Sequence, residues 1–184
     1  MHSYVAMLRG INVGGRNRVA MADLESLVEE LGFGNVRTYV QSGNIVFHGT
    51  GGTAEVASAL GDGLRSTLGL DVPVVVRTTE QLDEVIASNP FAGDGMDPAS
   101  QPTLFHVTFL AGTPDPDQAG KLAAAAGRYA PDACRLVGSD VYLHIPGGYG
   151  NTKLSNTFFE RNLSMVATTR NWRSVLTLAT MAGG

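Results

Sequence analysis

Glycines, arginines and asparagines are concentrated in one short segment near the N-terminus, Leu8–Arg18, which contains no acidic residue. Glycine lets backbone N–H groups approach a ligand closely, and arginine supplies charge-assisted donors, so this composition suits an anion site. The spacing matches neither the dinucleotide-binding fingerprint nor the phosphate-binding loop of nucleotide hydrolases. The other interpretation is a tight strand-to-helix connection with solvated arginines. The candidate ligand-binding residues here are Arg9, Gly10, Asn12, Gly14, Gly15 and Arg16.

A second group of hydrogen-bonding side chains follows an alternating segment at residues 36–41. Alternation places Tyr39 and Gln41 on one face of a strand, and Ser42 and Asn44 lie in the turn that follows. If this face lines a cleft, the four side chains would orient a ligand. If it faces water, they are a sheet surface and its turn, and the segment by itself favours this second interpretation.

A third polar group lies near the C-terminus, where Lys153 follows a glycine-rich segment and precedes a helix that Ser155 can cap. The N-terminus of that helix would favour negative charge. Thr168 or Thr169 is expected to cap a last helix, with Arg170 in its first turn. A cation there opposes the helix dipole, so Arg170 needs a partner: an acid, a carbonyl or a ligand anion. Lys153, Arg170 and Asn171 therefore complete the predicted ligand-binding set.

Other kinds of chemistry find little support in the sequence. The four histidines share no metal-ligand spacing, and His106 and His144 are expected to be satisfied structural residues within strands. No serine lies in a nucleophile elbow, and no acid pair stands out for proton transfer. We predict no catalytic residue and no metal ligands, and the cofactor stays unknown.

Composition limits the class of protein. The 184 residues are 43% hydrophobic and 16% charged, as in an ordinary soluble globular protein. No apolar run approaches the roughly 18 residues of a membrane span, so no membrane partner is expected. The single Cys134 cannot form an internal disulfide, which fits the cytoplasm. A net charge of −4 argues against a general nucleic-acid binder.

Hydrophobic periodicity predicts the elements of the first half. The order is strand, helix, two strands, helix and strand, the split β-α-β plan of ferredoxin-like domains. A short helix through Ala87 follows, and residues 89–102, rich in proline, glycine and aspartate, are the predicted linker. The predicted elements lie near residues 3–8, 21–31, 36–41, 45–48, 53–68 and 72–77.

The second half repeats this order, with a modified end. Only residues 165–168 stand where its last strand is expected, and a final helix with Trp172 on its apolar face follows. The predicted fold class is α+β, with two ferredoxin-like (βαββαβ) halves in tandem, the second with a modified C-terminal helix. The halves are residues 1–88 and 103–184. The predicted elements lie at 103–110, from Pro114 or Pro116 to 126, 133–137, 141–145 and 156–163.

Several motifs together resemble one bacterial family, which is known only as domain of unknown function 1697. They lie at residues 4–15, 21–24, 31–33, 36–47 and 167–172. Arg16 stands where that family often has lysine, and Arg173 where asparagine is frequent. The resemblance implies an α+β fold of two ferredoxin-like halves. It brings no activity, cofactor or catalytic residue.

The leading hypothesis is a cytoplasmic protein that binds a small anionic ligand, phosphorylated or nucleotide-like, in a basic cleft. It requires the N-terminal segment around Arg9 and the C-terminal segment around Lys153 and Arg170 to lie close together. The alternatives are an enzyme acting on a phosphate-bearing substrate, nucleic-acid binding through a basic face, and a purely structural role for both motifs. The oligomeric state stays open.

Overall fold

The computed structural model describes residues 1–93 and 95–183. The described residues form α-helices and two four-stranded antiparallel sheets, so the fold is α+β. The chain divides into two compact units. The first comprises Met1–Asp83 and the residues from Thr177 onward, and the second comprises Glu84–Leu176.

The first unit contains one sheet, and two helices pack on one face of it. Its strands are ordered β2-β3-β1-β4. All neighbouring pairs are antiparallel, as the predicted element order requires. The elements are β1 (His2–Leu8), α1 (Met21–Glu30), β2 (Gly34–Tyr39), β3 (Asn44–Gly49), α2 (Thr53–Leu68), β4 (Val74–Thr78) and α3 (Thr79–Ala87), which crosses into the second unit.

The core of the first unit follows from two periodicities. Alternate residues of β1 point to one face of the sheet, and residues three or four apart on α1 and α2 point back at it. These side chains are nearly inaccessible to solvent, and their burial is the main stabilising contribution within the unit. They include Tyr4, Ala6 and Leu8 from β1, Leu24, Leu27 and Val28 from α1, and Val56, Leu60 and Leu64 from α2.

The second unit repeats the arrangement with strand order β6-β7-β5-β8. Its core is formed by Leu110 of β5 and by Val141 and Leu143 of β7 with apolar residues of α4 and α5. The elements are β5 (Phe105–Leu110), α4 (Pro116–Ala126), β6 (Ala133–Val137), β7 (Asp140–His144), α5 (Asn156–Leu163), β8 (Ala167–Asn171) and α6 (Trp172–Gly183), whose last part belongs to the first unit.

The two sheets also correspond in register. Val5 in β1 lies opposite Arg77 in β4, and Val107 in β5 lies opposite Arg170 in β8. Both arginines are buried. Arg77 alternates with Val76, which packs with α1 and α2, and Arg170 lies on the opposite face from Ala167, which packs with α4 and α5. The repeat in topology therefore extends to the placement of one buried arginine in each sheet.

The end of the second unit differs from the prediction. The sequence predicts only residues 165–168 in place of a last strand, but the structure has a complete strand there, β8. It pairs with β5 over five positions, from Leu110 opposite Ala167 to His106 opposite Asn171. Arg170 thus lies in a strand, and its predicted position in the first turn of the last helix is wrong. The predicted caps are wrong too, because Asn171 Oδ1 accepts the hydrogen bond from Ser174 N at 2.8 Å.

Residues 89–93 and 95–102 belong to the second unit. Phe91 is buried, and its ring lies 6.0 Å from that of Phe105 in β5. Asn89 Oδ1 accepts a hydrogen bond from Phe91 N at 3.0 Å, which fixes this segment locally. The compact units therefore have different boundaries from the predicted halves, and the division into folding domains stays a prediction. In the part of the chain that is described, no helix is both long and apolar enough to cross a membrane.

Candidate functional site

The segment that joins β1 to α1 is a closed, ordered loop. Asn12 N donates to Asn17 O at 3.2 Å, and Asn17 Nδ2 donates to Gly10 O at 3.0 Å. At its tip Arg16 N donates to Val13 O at 3.1 Å, and the two residues between them are Gly14 (φ +58°) and Gly15 (φ +77°). A tight turn with positive φ at both central positions strongly favours glycine. The glycines of this loop thus have a conformational role.

Asn12 joins this loop to the turn between β2 and β3. Its Nδ2 donates to Val19 O at 3.0 Å and to Gln41 O at 3.1 Å, while its Oδ1 accepts from Val19 N at 3.0 Å. Both amide hydrogens are used, so this side chain positions the two loops and has no donor left for a ligand. The first two predicted motifs therefore do lie side by side.

The turn between β2 and β3, residues 40–43, packs closely against the end of β1. Leu8 N donates to Gly43 O at 2.8 Å. A Cβ added to Gly43 would lie 2.8 Å from Leu8 Cβ and 2.8 Å from Ile11 Cδ1, so the position has no room for a side chain. Strand β2 ends at Tyr39, and the next residue, Val40, has φ +50°. A positive φ is unusual for a β-branched residue and marks local backbone strain.

Asn44 is the most deeply buried of the predicted ligand-binding residues. Its Nδ2 donates to Ser42 Oγ at 2.8 Å and to Tyr39 O at 3.3 Å, and its side chain is fully inaccessible. These bonds hold the turn in its conformation, because burial of an unpaired amide would be costly. Asn44 is thus a structural residue of the turn, and Tyr39 and Ser42 contribute acceptors to it.

Residues of the loop, the turn and two helices line an open pocket of about 580 Å³ in the first unit. This volume lies in the range of about 300–1,000 Å³ that small-molecule sites occupy. Of the predicted set, Asn12, Gly15 and Gln41 line it. The other lining residues were not in the predicted set: Arg18, Val19, Ala20, Asp23 and Leu68.

Two charged side chains of opposite sign line this pocket. Arg18 is exposed at the end of the loop, and Asp23 is exposed in the first turn of α1. Within residues 1–93 and 95–183, neither side chain forms a hydrogen bond or an ion pair. Each charge is therefore available to a bound molecule. Ala20, at the N-cap of α1, offers no side-chain acceptor to the first-turn N–H groups.

The other predicted residues of the first unit lie outside the pocket lining. Arg9 is half-buried, and its N–H donates to Pro73 O at 2.9 Å. Arg16 is exposed at the tip of the loop. Arg18 is the last residue of the basic segment Leu8–Arg18, so the sequence does contain a signal for it. Leu68, at the end of α2, had no signal in the sequence because only the tertiary fold brings it to the loop.

The predicted residues of the second unit have separate environments. Lys153 is exposed, and Ser155 caps α5 as predicted by accepting from Phe158 N at 3.3 Å. Arg170 is buried, and its Nη1 donates to Thr168 Oγ1 at 2.8 Å and to Thr169 O at 2.9 Å. Burial lowers the pKa of Arg170 to about 10, so it is still protonated at neutral pH.

Arg170 and Asn171 point to opposite faces of the second sheet, because neighbouring residues of a strand alternate. A single cavity on one face therefore cannot use both side chains. The prediction that Lys153 and Arg170 share one cleft with Arg9 and Arg16 stays a prediction, since the two groups belong to different units.

The second unit also contains a buried histidine. His106 in β5 is only 7% exposed, and its ring stacks on that of Tyr149 with a centroid distance of 4.8 Å. Its Nδ1 has no hydrogen-bond partner among the described residues. Burial lowers the pKa of His106 to about 4. The prediction that His106 has all of its hydrogen-bonding groups paired is therefore wrong, because Nδ1 lacks a partner among the described residues.

Neither a metal centre nor a thiol nucleophile is found among the described residues. In that part of the chain, no group of three or more His, Cys, Asp or Glu side chains is placed to hold a metal ion. Cys134 is partly buried in β6, and burial raises the pKa of its thiol to about 11. The thiolate, which is the reactive form, is therefore scarce at neutral pH.

The family follows from the N-terminal three quarters of the chain. Residues 1–142 match the model of a family described as "Protein of unknown function (DUF1697)". The chain belongs to this family. The matched segment contains the loop, the turn and every residue that lines the pocket. Membership in DUF1697 confirms the resemblance seen in the sequence and assigns no activity.

A solved structure has a similar fold. It is that of a conserved bacterial protein from Streptococcus pneumoniae, with a TM-score of 0.74 and 22% sequence identity. The alignment covers 98% of this chain and 98% of the other. At this identity the likeness shows the fold alone. No curated protein matches the DUF1697 chain.

Proposed function

We propose that this protein binds a small anionic ligand in the pocket of the first unit. One observation carries the proposal: Arg18 lines a pocket of about 580 Å³ and has no ion pair or hydrogen bond among the described residues. A guanidinium presents several donors in a planar array that matches carboxylate and phosphate groups. The surrounding loop is one that composition alone predicts to hold an anion.

The remaining lining residues have distinct roles in this proposal. Arg18 supplies the charge, the exposed side chain of Gln41 supplies a polar contact, and Gly15 lets the ligand approach the backbone. Asn12 does not donate to the ligand, since its amide hydrogens hold Val19 and Gln41. Of the alternatives, a structural role is supported for Asn12, Gly43 and Asn44, and a conformational role for Gly14 and Gly15.

Titration of isotopically labelled protein with ethyl phosphate, ribose 5-phosphate and adenosine monophosphate tests the proposal. We expect amide resonances of residues 12–23 and Gln41 to shift with at least one of these probes. Arg18→Gln should weaken that binding about tenfold, which corresponds to about 1.4 kcal/mol for one charge-assisted contact. Arg16→Gln is the matched control, because Arg16 is exposed in the same loop but does not line the pocket.

The proposal fails if no probe shifts these amides at millimolar concentration. It also fails if Arg16→Gln weakens binding as much as Arg18→Gln, since a diffuse positive potential would then explain the effect. Binding to short single-stranded RNA that weakens steeply with salt would instead favour the nucleic-acid alternative.

We further propose that both units are ferredoxin-like, in tandem. The support is the βαββαβ element order of each unit and the matching strand orders β2-β3-β1-β4 and β6-β7-β5-β8. Interstrand nuclear Overhauser effects between Val5 and Arg77, and between Val107 and Arg170, would test the central pairings in solution. Their absence would overturn this assignment.

A further inference from the structure

We infer that the ligand of this pocket carries an amino or ammonium group in addition to its anionic group. This inference rests on the proposed function and specifies the ligand class. Its basis is that Asp23 lines the same pocket as Arg18. A simple anion would pair with Arg18 and leave the Asp23 carboxylate facing a like charge, which is unfavourable.

The two charges of the pocket do not neutralise each other. Arg18 and Asp23 are five residues apart, yet no ion pair joins them, and neither bonds to another described residue. A pocket with separated positive and negative groups complements a dipolar ligand, whose two ends contact the two groups. An amino or ammonium group on the ligand would donate hydrogen bonds to the carboxylate oxygens of Asp23.

The rest of the lining suits a short chain between the two ends of such a ligand. Val19 and Leu68 provide apolar surface, and Gln41 provides an amide. Extended polyphosphates fit this lining poorly, because each added negative charge adds to the repulsion by the Asp23 carboxylate. The shared chemistry is an anion joined by a short linker to an amine, and the anion is either a phosphate or a carboxylate.

Two matched series of probes test the inference. The phosphate series is phosphoethanolamine, ethyl phosphate and ethanolamine; the carboxylate series is β-alanine, propionate and ethylamine. Each is titrated into the wild type, Asp23→Asn and the control Glu30→Gln, which removes an exposed acid on the same helix outside the pocket. Chemical shifts at residues 12–23 report binding, and the spectra show whether each variant is folded.

The inference predicts that the wild type binds the amine-bearing anion about fivefold more tightly than the plain anion in at least one series. That ratio is typical of one exposed charge pair. Asp23→Asn should remove the preference without weakening the plain anion, whereas Glu30→Gln should leave the preference intact. The series that shows the preference identifies the anionic group.

Three outcomes would overturn the inference. If the two anions bind the wild type equally in both series and Arg18→Gln weakens them, the proposed function stands and the dipolar ligand is wrong. If the preference survives in Asp23→Asn, another group recognises the amine. If only the amines bind, through Asp23, both the inference and the proposed function are wrong.

Discussion

Gly43 shows how a single residue position is determined by its neighbours. Its φ of +74° is left-handed, and a Cβ there would overlap Leu8 and Ile11 at 2.8 Å. The turn that carries Gln41 lies against the end of β1 only because this position has no side chain. The geometry of the pocket therefore depends on a residue that does not itself line it.

Gly43→Ala should destabilise the protein by about 3 kcal/mol, from a left-handed alanine and from overpacking together. Gly138→Ala is the matched control, because Gly138 has φ +59° in the corresponding turn of the second unit with no atom within 4 Å of the added Cβ. We expect about 1 kcal/mol for the control. Urea unfolding measures both, and equal losses would contradict the role of Leu8 and Ile11.

His106 is expected to make the protein sensitive to acid. Its pKa is about 4 in the folded state and near 6.5 when unfolded, so folding favours the neutral ring. The neutral ring's contribution to the free energy of unfolding is fully present above pH 6.5 and is lost as the pH falls toward 4. Between pH 7 and pH 5 the loss from this group is about 2 kcal/mol.

His106→Phe keeps a ring against Tyr149 and removes the titrating group. The difference in unfolding free energy between pH 7 and pH 5 should therefore be about 2 kcal/mol smaller in the variant than in the wild type. Comparing the two proteins at both pH values cancels the contributions of the other titrating groups to the pH dependence. An unchanged pH dependence would show that His106 titrates normally in the folded protein.

At the scale of elements, the start of helix α4 is determined by a local capping sequence. Asp115 Oδ1 accepts from Gln118 N at 2.8 Å, and Gln118 Oε1 accepts from Asp115 N at 3.1 Å. This reciprocal capping box, followed by Pro116, defines the start of α4. Helix α1 begins at the pocket without any such side-chain cap.

Asp115→Ala should lower stability by about 1 kcal/mol, because it removes the acceptor for the first turn of α4. Asp115→Asn should restore most of the loss, since asparagine also caps helices well. Thermal or urea unfolding checks both variants. If the asparagine variant is as unstable as the alanine variant, charge rather than capping explains the effect.

The sequence predicted those elements whose signals are local. Apolar spacing predicts α1 and α2, and Ser155 predicts the start of α5, which it caps. Strand β8 was missed because residues 167–171 contain few apolar residues, and its status depends on pairing with β5. Of the residues that line the pocket, Asn12, Gly15 and Gln41 belong to the motifs singled out in the sequence, whereas Leu68 reaches it only through the packing of α2. Anion binding there stays a prediction.

At the scale of the whole molecule, the first unit is discontinuous in sequence. Arg37 Nη2 donates to Met181 O, and Thr79 Oγ1 donates to Ala182 O at 3.4 Å. Leu178 in the same segment is fully buried. The last part of α6 therefore contributes hydrogen-bond acceptors to the first unit and contains a fully buried apolar side chain.

A chain ending at Leu176 should lose stability mainly in its first unit. We expect lower hydrogen-exchange protection of amides in β1 and β4 than in β5 and β7, because the contacts to Arg37 and Thr79 are removed. Leu178→Ala is the milder variant if the shortened chain does not fold, with an expected cost of about 2–5 kcal/mol. Equal loss of protection in all four strands would contradict a separate first unit.

The discontinuity has a consequence for the order of events during synthesis. A ribosome delivers residues 84–176 in one uninterrupted stretch, so the second unit has all of its sequence before the first does. Until residues 177–183 emerge, the first unit lacks the segment that bonds to Arg37 and Thr79. Domains generally fold as units while the chain grows, N-terminal first. Of the two units, the one whose translation begins earlier is completed later.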